Sequence, residues 1–363
     1  MPPRGGLAEL RDRLLTSPRF HRWAAAVPLL RPVARRRAGD LFDLVAGFAY
    51  SQVLAAGVQL GLFRRLAARP ATLTELAGDL GLSGDATARL LDAAVALRLA
   101  DRRRGGGYGI GPLGAALIAE PGITAMIEHH AMLYDDLRDP VALLRGAAPP
   151  GRLAAFWAYR DPAADAGPYT ALMAASQPMI AAQVLAACRL HRFRCLLDLG
   201  GGDGSFAVAA AAAARRLHVI VFDRPAVAAQ AASRFAAAGL GARARAVGGD
   251  FLADALPAGA DIVSLVRVIH DHDDAAARAI LAAAHRALPP GGTLLLAEPM
   301  AGTPATAAMA DAYFGFYLLA MRSGRPRTPA ALAALLRETG FARPRLRPTR
   351  LPLLAQVMLA GRL

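Results

Sequence analysis

The chain has 363 residues, 55% hydrophobic and 6% aromatic, and 42 basic against 28 acidic side chains give it a formal net charge of +14. That length suits two domains with separate cores, and the apolar content excludes a disordered or fibrous chain. Lysine is absent, so all the basic side chains counted are arginine; so biased a composition says little about function beyond a basic surface that favours anionic partners.

Residues 1–40 read as a basic, proline-punctuated arm, with Arg19, Arg22, Arg31, Arg35, Arg36 and Arg37 flanking Phe20, Trp23, Val27, Leu29 and Leu30. Arginines beside aromatic and aliphatic groups suit either a peripheral contact with an anionic membrane surface or packing on a partner subunit. Pro28 interrupts "WAAAVPLL", which removes the apolar core of a secretion signal, and Pro28 with Pro32 is expected to prevent one long helix. The longest uninterrupted apolar run, Phe206 to Ala214, is far short of the roughly 20 residues that cross a bilayer. The expected location is therefore cytoplasmic, with the inner membrane surface as the one place of contact.

Over 41–115 apolar positions recur at three and four, first in "LFDLVAGFAYSQVLAAGVQLGLF" and then in "TLTELAGDLGLSGDATARLLDAAVALRLA", before "RRRGGGYGIGP". Helix, turn, helix and a short hairpin give a winged-helix outline, with Thr74 and Ser83 as expected N-caps. A helical connector over 116–185 carries Met126, Met132, Met173 and Met179, which suit an adaptable apolar pocket or plain core. Cys188 and Cys195 lack metal-ligand spacing, so no metal is expected, and isolated thiols suit a reducing compartment.

Over 186–363 the period changes. "CLLDLG", "HVIVFD", "ARAVGGDF", "DIVSLVRVI" and "GTLLLAEP" alternate with alanine-rich stretches, which predicts a parallel sheet wrapped by helices. After the first strand comes "LLDLGGGDGSF": Gly200 and Gly202 fit a nucleotide-binding turn, but Ser205 stands where a dinucleotide loop has its third glycine. Asp198 precedes the loop, Asp223 closes the second strand where a carboxylate can grip ribose hydroxyls, and Asp250 follows the third with Phe251 to cover an adenine. A D-x-G-x-G loop with acids after strands two and three favours S-adenosylmethionine over NAD, whose usual Tyr-Lys proton donor is impossible without lysine. Arg224 and Arg267 complete the candidate cofactor contacts. In "RVIHDHDD" His270 sits at the carboxyl edge of the fourth strand, where a neutral imidazole can take an acceptor's proton, and Glu298 can accept its other ring N–H.

Together "LLDLGGGDGSF", "FDRP", "GGDF", "VIHDHDD" and "LLLAEPM" resemble the motifs of the O-methyltransferase family best known from plant phenol methyltransferases. The resemblance covers roughly residues 40–363 and implies a Rossmann-like α/β domain that binds S-adenosylmethionine, preceded by a mostly helical winged-helix dimerisation domain, hence a homodimer. It implies cofactor contacts at Gly200, Asp223 and Asp250, the general base at His270, and support from Glu298. Two departures stand out: His272 replaces the usual tryptophan, and Pro326 occupies the place of a second histidine-supporting glutamate, which leaves Glu298 or Asp271 to orient His270.

The stretch "AEPMAGTPATAAMADAYFGFYLLAMRSGRPRTP" and the arm are similar to the carotenoid branch of that family, whose members methylate hydroxyneurosporene or demethylspheroidene in purple bacteria. The implied acceptor is the tertiary C-1 hydroxyl of an acyclic carotenoid, with Phe314, Phe316 and Tyr317 as candidate pocket residues. A tertiary alcohol ionises roughly 10 pK units above imidazole, about 14 kcal/mol, so deprotonation must accompany or follow methyl transfer. Two alternatives remain: methylation of a polyketide, phenol or bacteriochlorophyll precursor, and a winged-helix DNA-binding regulator. Against the second, "GDATARLLDAAVALRLA" offers no Asn or Gln for base edges, so no nucleic-acid partner is expected.

Overall fold

The computed structural model describes residues 5–157, 165–303 and 306–363. It divides into two compact units, Met1–Ala116 and Leu117–Leu363.

The first unit opens with α1 (Gly5–Leu15), α2 (Pro18–Ala26) and α3 (Arg31–Gln59). Ser17 caps α2 by accepting the Phe20 N–H, and the chain turns at Pro28. One long helix is prevented, as expected, but the break falls at Pro28 and not at Pro32. This proline lies in the first turn of α3, where its missing N–H would have had no helical partner, and the helix runs on across residue 40. α4 (Leu62–Ala68), α5 (Leu73–Leu80) and α6 (Gly84–Ala96) follow, with the antiparallel pair β1 (Ala100–Arg102) and β2 (Tyr108–Ile110) as the hairpin. The N-cap of α5 is Thr72, not Thr74: Thr72 accepts the Glu75 N–H while Glu75 accepts the Thr72 N–H, a reciprocal box that Thr74, already inside the helix, cannot make. Ser83 caps α6 as expected. Leu62, Phe63, Leu66, Leu76 and Leu91 form the buried core of this unit, and Gly57 lets α3 approach the Phe63 ring, where a Cβ would collide.

α7 (Pro112–Ala119) leads across the division into the second unit, which continues with α8 (Pro121–Asp136), α9 (Pro140–Leu144), α10 (Arg152–Phe156) and α11 (Gly167–Ala187). The α/β region then runs β3 (Cys195–Leu199), α12 (Ser205–Ala213), β4 (His218–Asp223), α13 (Pro225–Ala237), β5 (Ala244–Gly248) and β6 (Ile262–Val266). After a short 3-10 turn at Ile269–Asp271 come α14 (Asp274–Ala287), β7 (Thr293–Glu298), and a π-helix, Ala308–Phe314, that passes into α15 (Gly315–Met321). α16 (Pro329–Glu338), β8 (Phe341–Arg347) and β9 (Gln356–Arg362) close the chain.

The sheet order is β5-β4-β3-β6-β7-β9-β8, parallel from β5 to β7 and antiparallel thereafter. Alternate residues of each central strand face opposite layers: Leu197, Phe222 and Val263 join α14 and α16, whereas Leu196, Val221 and Ile262 join α11, α12 and α13. The strand order reverses between β3 and β6, the place where open sheets of this kind bind ligands. The closing β8–β9 pair was not expected from the sequence; Arg343, Arg345 and Arg347 alternate along an exposed edge strand whose apolar content is low.

Two of the described helices, α3 and α11, are long and apolar enough to cross a membrane by length and composition alone. The uninterrupted runs counted in the sequence miss this because scattered polar residues punctuate both helices.

Candidate active site

Gly200, Gly202 and Gly204 take left-handed φ values of +66°, +59° and +80°, which let the chain turn sharply between β3 and α12. A Cβ on Gly200 would stand 2.9 Å from Val268 Cγ2 and close the gap at the switch point. Asp223 braces this loop: Oδ2 accepts the Gly202 N–H at 2.8 Å and Oδ1 accepts the Arg224 N–H at 2.8 Å. Asp198 lies beneath it, 1% exposed, with Oδ1 accepting the Ser264 hydroxyl at 2.5 Å and Oδ2 left without a hydrogen-bond partner among the described residues. Burial pushes its carboxyl up to about 7, against the Ser264 hydrogen bond and aided by the charge of Asp223.

Two recesses open at this edge. The first, about 600 Å³ including adjoining solvent, is walled by Gly200, Gly202, Tyr169, Arg267, Asp271 and His272. The second is walled by Arg224, Asp250 and Leu252. Phe251 and His272 belong to both walls, their rings edge-on at 5.8 Å. The candidate cofactor contacts therefore separate: Asp198 and Asp223 are buried supports of the loop, and the others border open space.

Three polar atoms on the first recess are buried without a hydrogen-bond partner among the described residues: Thr170 Oγ1, Gln177 Oε1 and Arg267 Nε. Arg267 is anchored through its other nitrogens, Nη1 to Ser176 Oγ at 2.8 Å and Nη2 to the Met173 carbonyl at 3.0 Å, and burial lowers its pKa. Buried donors and acceptors are nearly always satisfied, so three unmet ones on one wall mark a place shaped for a polar ligand.

His270 is buried behind this wall. Its Nδ1 lies 2.5 Å from Glu298 Oε2, and Nε2 lies 3.1 Å from Asp271 Oδ1. Glu298 Oε1 accepts the backbone N–H groups of Val268 and Ile269, and Asp271 Oδ2 accepts the Tyr169 hydroxyl at 3.0 Å. Burial would lower the imidazole pKa, but the facing Asp271 and Glu298 carboxylates outweigh it and leave it raised. The His270 ring meets Phe314 edge-on at 5.7 Å. Asp271 and His272, not His270, border the first recess. Burial and the neighbouring His270 bring His272 down to about 4, so it is neutral near pH 7.

Several participants had no signal in the sequence. Tyr169 and Ser176 are unremarkable helix residues, brought in because α11 packs over the carboxyl edge. The doublet His129-His130 was readable but unassigned: His129 Nε2 lies 2.9 Å from the Tyr317 hydroxyl and His130 Nε2 2.8 Å from the Tyr313 hydroxyl. Of the proposed pocket residues, Phe314 and Tyr317 lie in this cluster, whereas Phe316 is 37% exposed. Met173 borders the first recess, and Met300 and Met321 are core. No group of three or more metal-ligating side chains forms among the described residues.

The signature of an O-methyltransferase domain matches residues 134–342, and that of an O-methyltransferase dimerisation domain matches residues 42–120. The chain belongs to the O-methyltransferase family. It is 42% identical to the demethylspheroidene O-methyltransferase of Cereibacter sphaeroides, across 99% of this chain and 97% of that protein. It is 39% identical to the protein of the same name from Rhodobacter capsulatus, across 99% and 91%. Among solved structures, the S-adenosylmethionine-dependent methyltransferase SibL superposes with a TM-score of 0.74 at 29% identity, covering 89% of this chain and 98% of that one. Human N-acetylserotonin methyltransferase, solved in complex with SAM, gives 0.72 at 26% identity, with 90% and 97% covered.

Proposed function

We propose that this O-methyltransferase uses S-adenosylmethionine to methylate the tertiary C-1 hydroxyl of an acyclic hydroxycarotenoid. The observation that carries the chemistry is His270, held at 2.5 Å by Glu298 beside a recess with three unmet polar atoms. The acceptor class rests on the full-length relatives, both demethylspheroidene O-methyltransferases.

The residues present fit the cofactor. The Gly200–Gly202 backbone, Asp223 beneath it, Arg224, Asp250, Phe251 and Arg267 would hold it, and Arg267 Nε, without a hydrogen-bond partner among the described residues, would be free to donate to it. When bound, S-adenosylmethionine supplies an electrophilic methyl group on a sulfonium.

The chain itself aligns the acceptor and removes its proton. Glu298 accepts from Nδ1 and stabilises the imidazolium that forms as His270 takes the hydroxyl proton. The same two carboxylates raise the imidazole pKa, so the neutral base is available only at a higher pH than for an ordinary histidine. Incubation with labelled S-adenosylmethionine and a panel of hydroxylated carotenoids, phenols and polyketides, with mass analysis of product, tests the assignment. Methyl transfer to phenols alone would overturn the acceptor class.

A polyene is longer than a recess of this size, so its remainder must lie in lipid. We read the arm as the docking element: Trp23 is 55% exposed, Leu29 is exposed, and Arg19, Arg22, Arg31 and Arg35–Arg37 surround them. Removing residues 1–30, which leaves α3 whole but takes away Trp23, Leu29, Arg19 and Arg22, should weaken co-sedimentation with anionic liposomes at low salt. Undiminished binding would assign the arm to subunit packing.

A further inference from the structure

The turn that carries His270 is held from outside by one short segment, Ser323–Arg327. Four consecutive carbonyls of the turn accept hydrogen bonds from it. Ile269 O accepts from Arg327 Nη1 at 2.7 Å, and His270 O from the Arg325 N–H at 2.9 Å. Asp271 O accepts from Ser323 Oγ at 2.6 Å, and His272 O from Arg327 Nη2 at 2.8 Å. A 3-10 turn this short satisfies few of its own carbonyls, and orphaned carbonyls in a buried place must find donors elsewhere.

Arg327 is the centre of this arrangement. The residue is 5% exposed, and a buried guanidinium is costly unless its donors are matched. Here they are: besides the two carbonyls, Nε and Nη2 reach Asp274 Oδ1 at 3.0 and 2.8 Å, and Asp274 also binds Arg325. Gly324, at φ +73°, permits the close approach, because a Cβ there would run into the His270 carbonyl. Glu298 meanwhile binds the Val268 and Ile269 N–H groups, so the turn is gripped on its donor side from β7 and on its acceptor side from the strap.

We propose that Arg327 is a positioning residue for the base: it fixes the backbone on both sides of His270 so that the imidazole stays aligned with Glu298. This takes over the part left vacant at Pro326, whose side chain can make no hydrogen bond. The inference rests on His270 being the base. The guanidinium does not border either recess; its effect passes through the turn. A planar fork with five donors can serve two diverging carbonyls and a carboxylate at once, whereas an ammonium cannot hold that geometry.

The test uses the full-length protein with Arg327→Ala, Arg327→Lys and Asp274→Asn. Arg327→Ala should lower kcat by about 10²-fold, the cost of a misaligned catalytic group, with KM and S-adenosylmethionine affinity nearly unchanged. Millimolar guanidinium ion should restore part of the lost kcat of Arg327→Ala, and Arg327→Lys should recover less than that. Asp274→Asn, which loosens the anchor without opening a cavity, should give a smaller loss of the same kind. Independently of any acceptor, ring NMR should show the His270 pKa falling in Arg327→Ala, because the imidazole drifts from Glu298 and Asp271. An unchanged His270 titration, or a loss shared equally by kcat and cofactor affinity without guanidinium rescue, would overturn the proposal. Failure of the base assignment reads differently: His270→Gln would then keep turnover while the Arg327 variants still shift the His270 titration.

Discussion

In the first unit every described ion pair, such as Arg65–Asp79, Arg69–Glu75, Arg89–Asp85 and Arg102–Asp92, has at least one solvent-exposed partner, and pairs of that kind contribute little stability. The same unit leaves Leu41, Phe42, Leu44, Val45 and Phe48 exposed along α3, Leu44 at 82% and Phe48 at 75%. The second unit differs in what it takes inside. It buries Asp198, His270, Asp271, Glu298 and Arg327 and gives most of their polar atoms hydrogen-bond partners. Apolar surface left outside serves association with another chain, and the dimerisation domain of the family covers this stretch from Phe42 on. Polar groups taken inside, at a desolvation cost, serve chemistry.

The contrast can be tested from its strongest point downward. His270→Ala should cost roughly 10²–10⁴-fold in turnover while S-adenosylmethionine binding persists, as for other positioned acid–base groups; near-normal turnover would mean alignment alone suffices. The pH profile sharpens this. A raised imidazole pKa means the neutral base is lost at a higher pH than for an ordinary histidine at 6.5, so activity should rise with pH through an acid limb above that value. Glu298→Gln should move the limb down, and a limb unmoved by that change would remove Glu298 from the pair.

Asp223→Ala should weaken S-adenosylmethionine binding by about 10²-fold, about 3 kcal/mol, in calorimetry, because the Gly202 and Arg224 N–H groups lose the carboxylate that braces the loop. Affinity equal to the parent's would sink the cofactor assignment. In the first unit, Leu44→Arg with Phe48→Arg should shift sedimentation from dimer to monomer, and a persistent dimer would place the interface elsewhere. The smallest effect belongs to a single cap. Thr72→Ala should lose about 1 kcal/mol in denaturant unfolding, whereas Thr74→Ala, with an exposed side chain, should lose far less.

That pair of threonines shows where local reading stops. Both precede an apolar period, and only the reciprocal bonds of Thr72 and Glu75 decide which ends the helix. Pro32 taught the same lesson in reverse, since a proline is harmless or disruptive according to the turn it occupies. His272, noticed only as a departure, proves to border both recesses.

The sequence alone determined what local periodicity and backbone freedom encode. The five parallel strands, the glycine turn at 200 and 202, the acids at the strand ends and a carboxylate beside His270, at Glu298 or Asp271, were all legible. A strand pattern and a glycine turn constrain their own neighbourhood, and strand ends in such a sheet meet at one edge. The tertiary structure alone decided the partners that chain distance hides: Tyr169 on Asp271, Ser264 on Asp198, Ser176 on Arg267, and Arg327 across the turn of His270. Each is a hydrogen bond between residues tens of positions apart. Nothing in either segment specifies the other, because only the packing of the helices on the sheet brings donor and acceptor within reach.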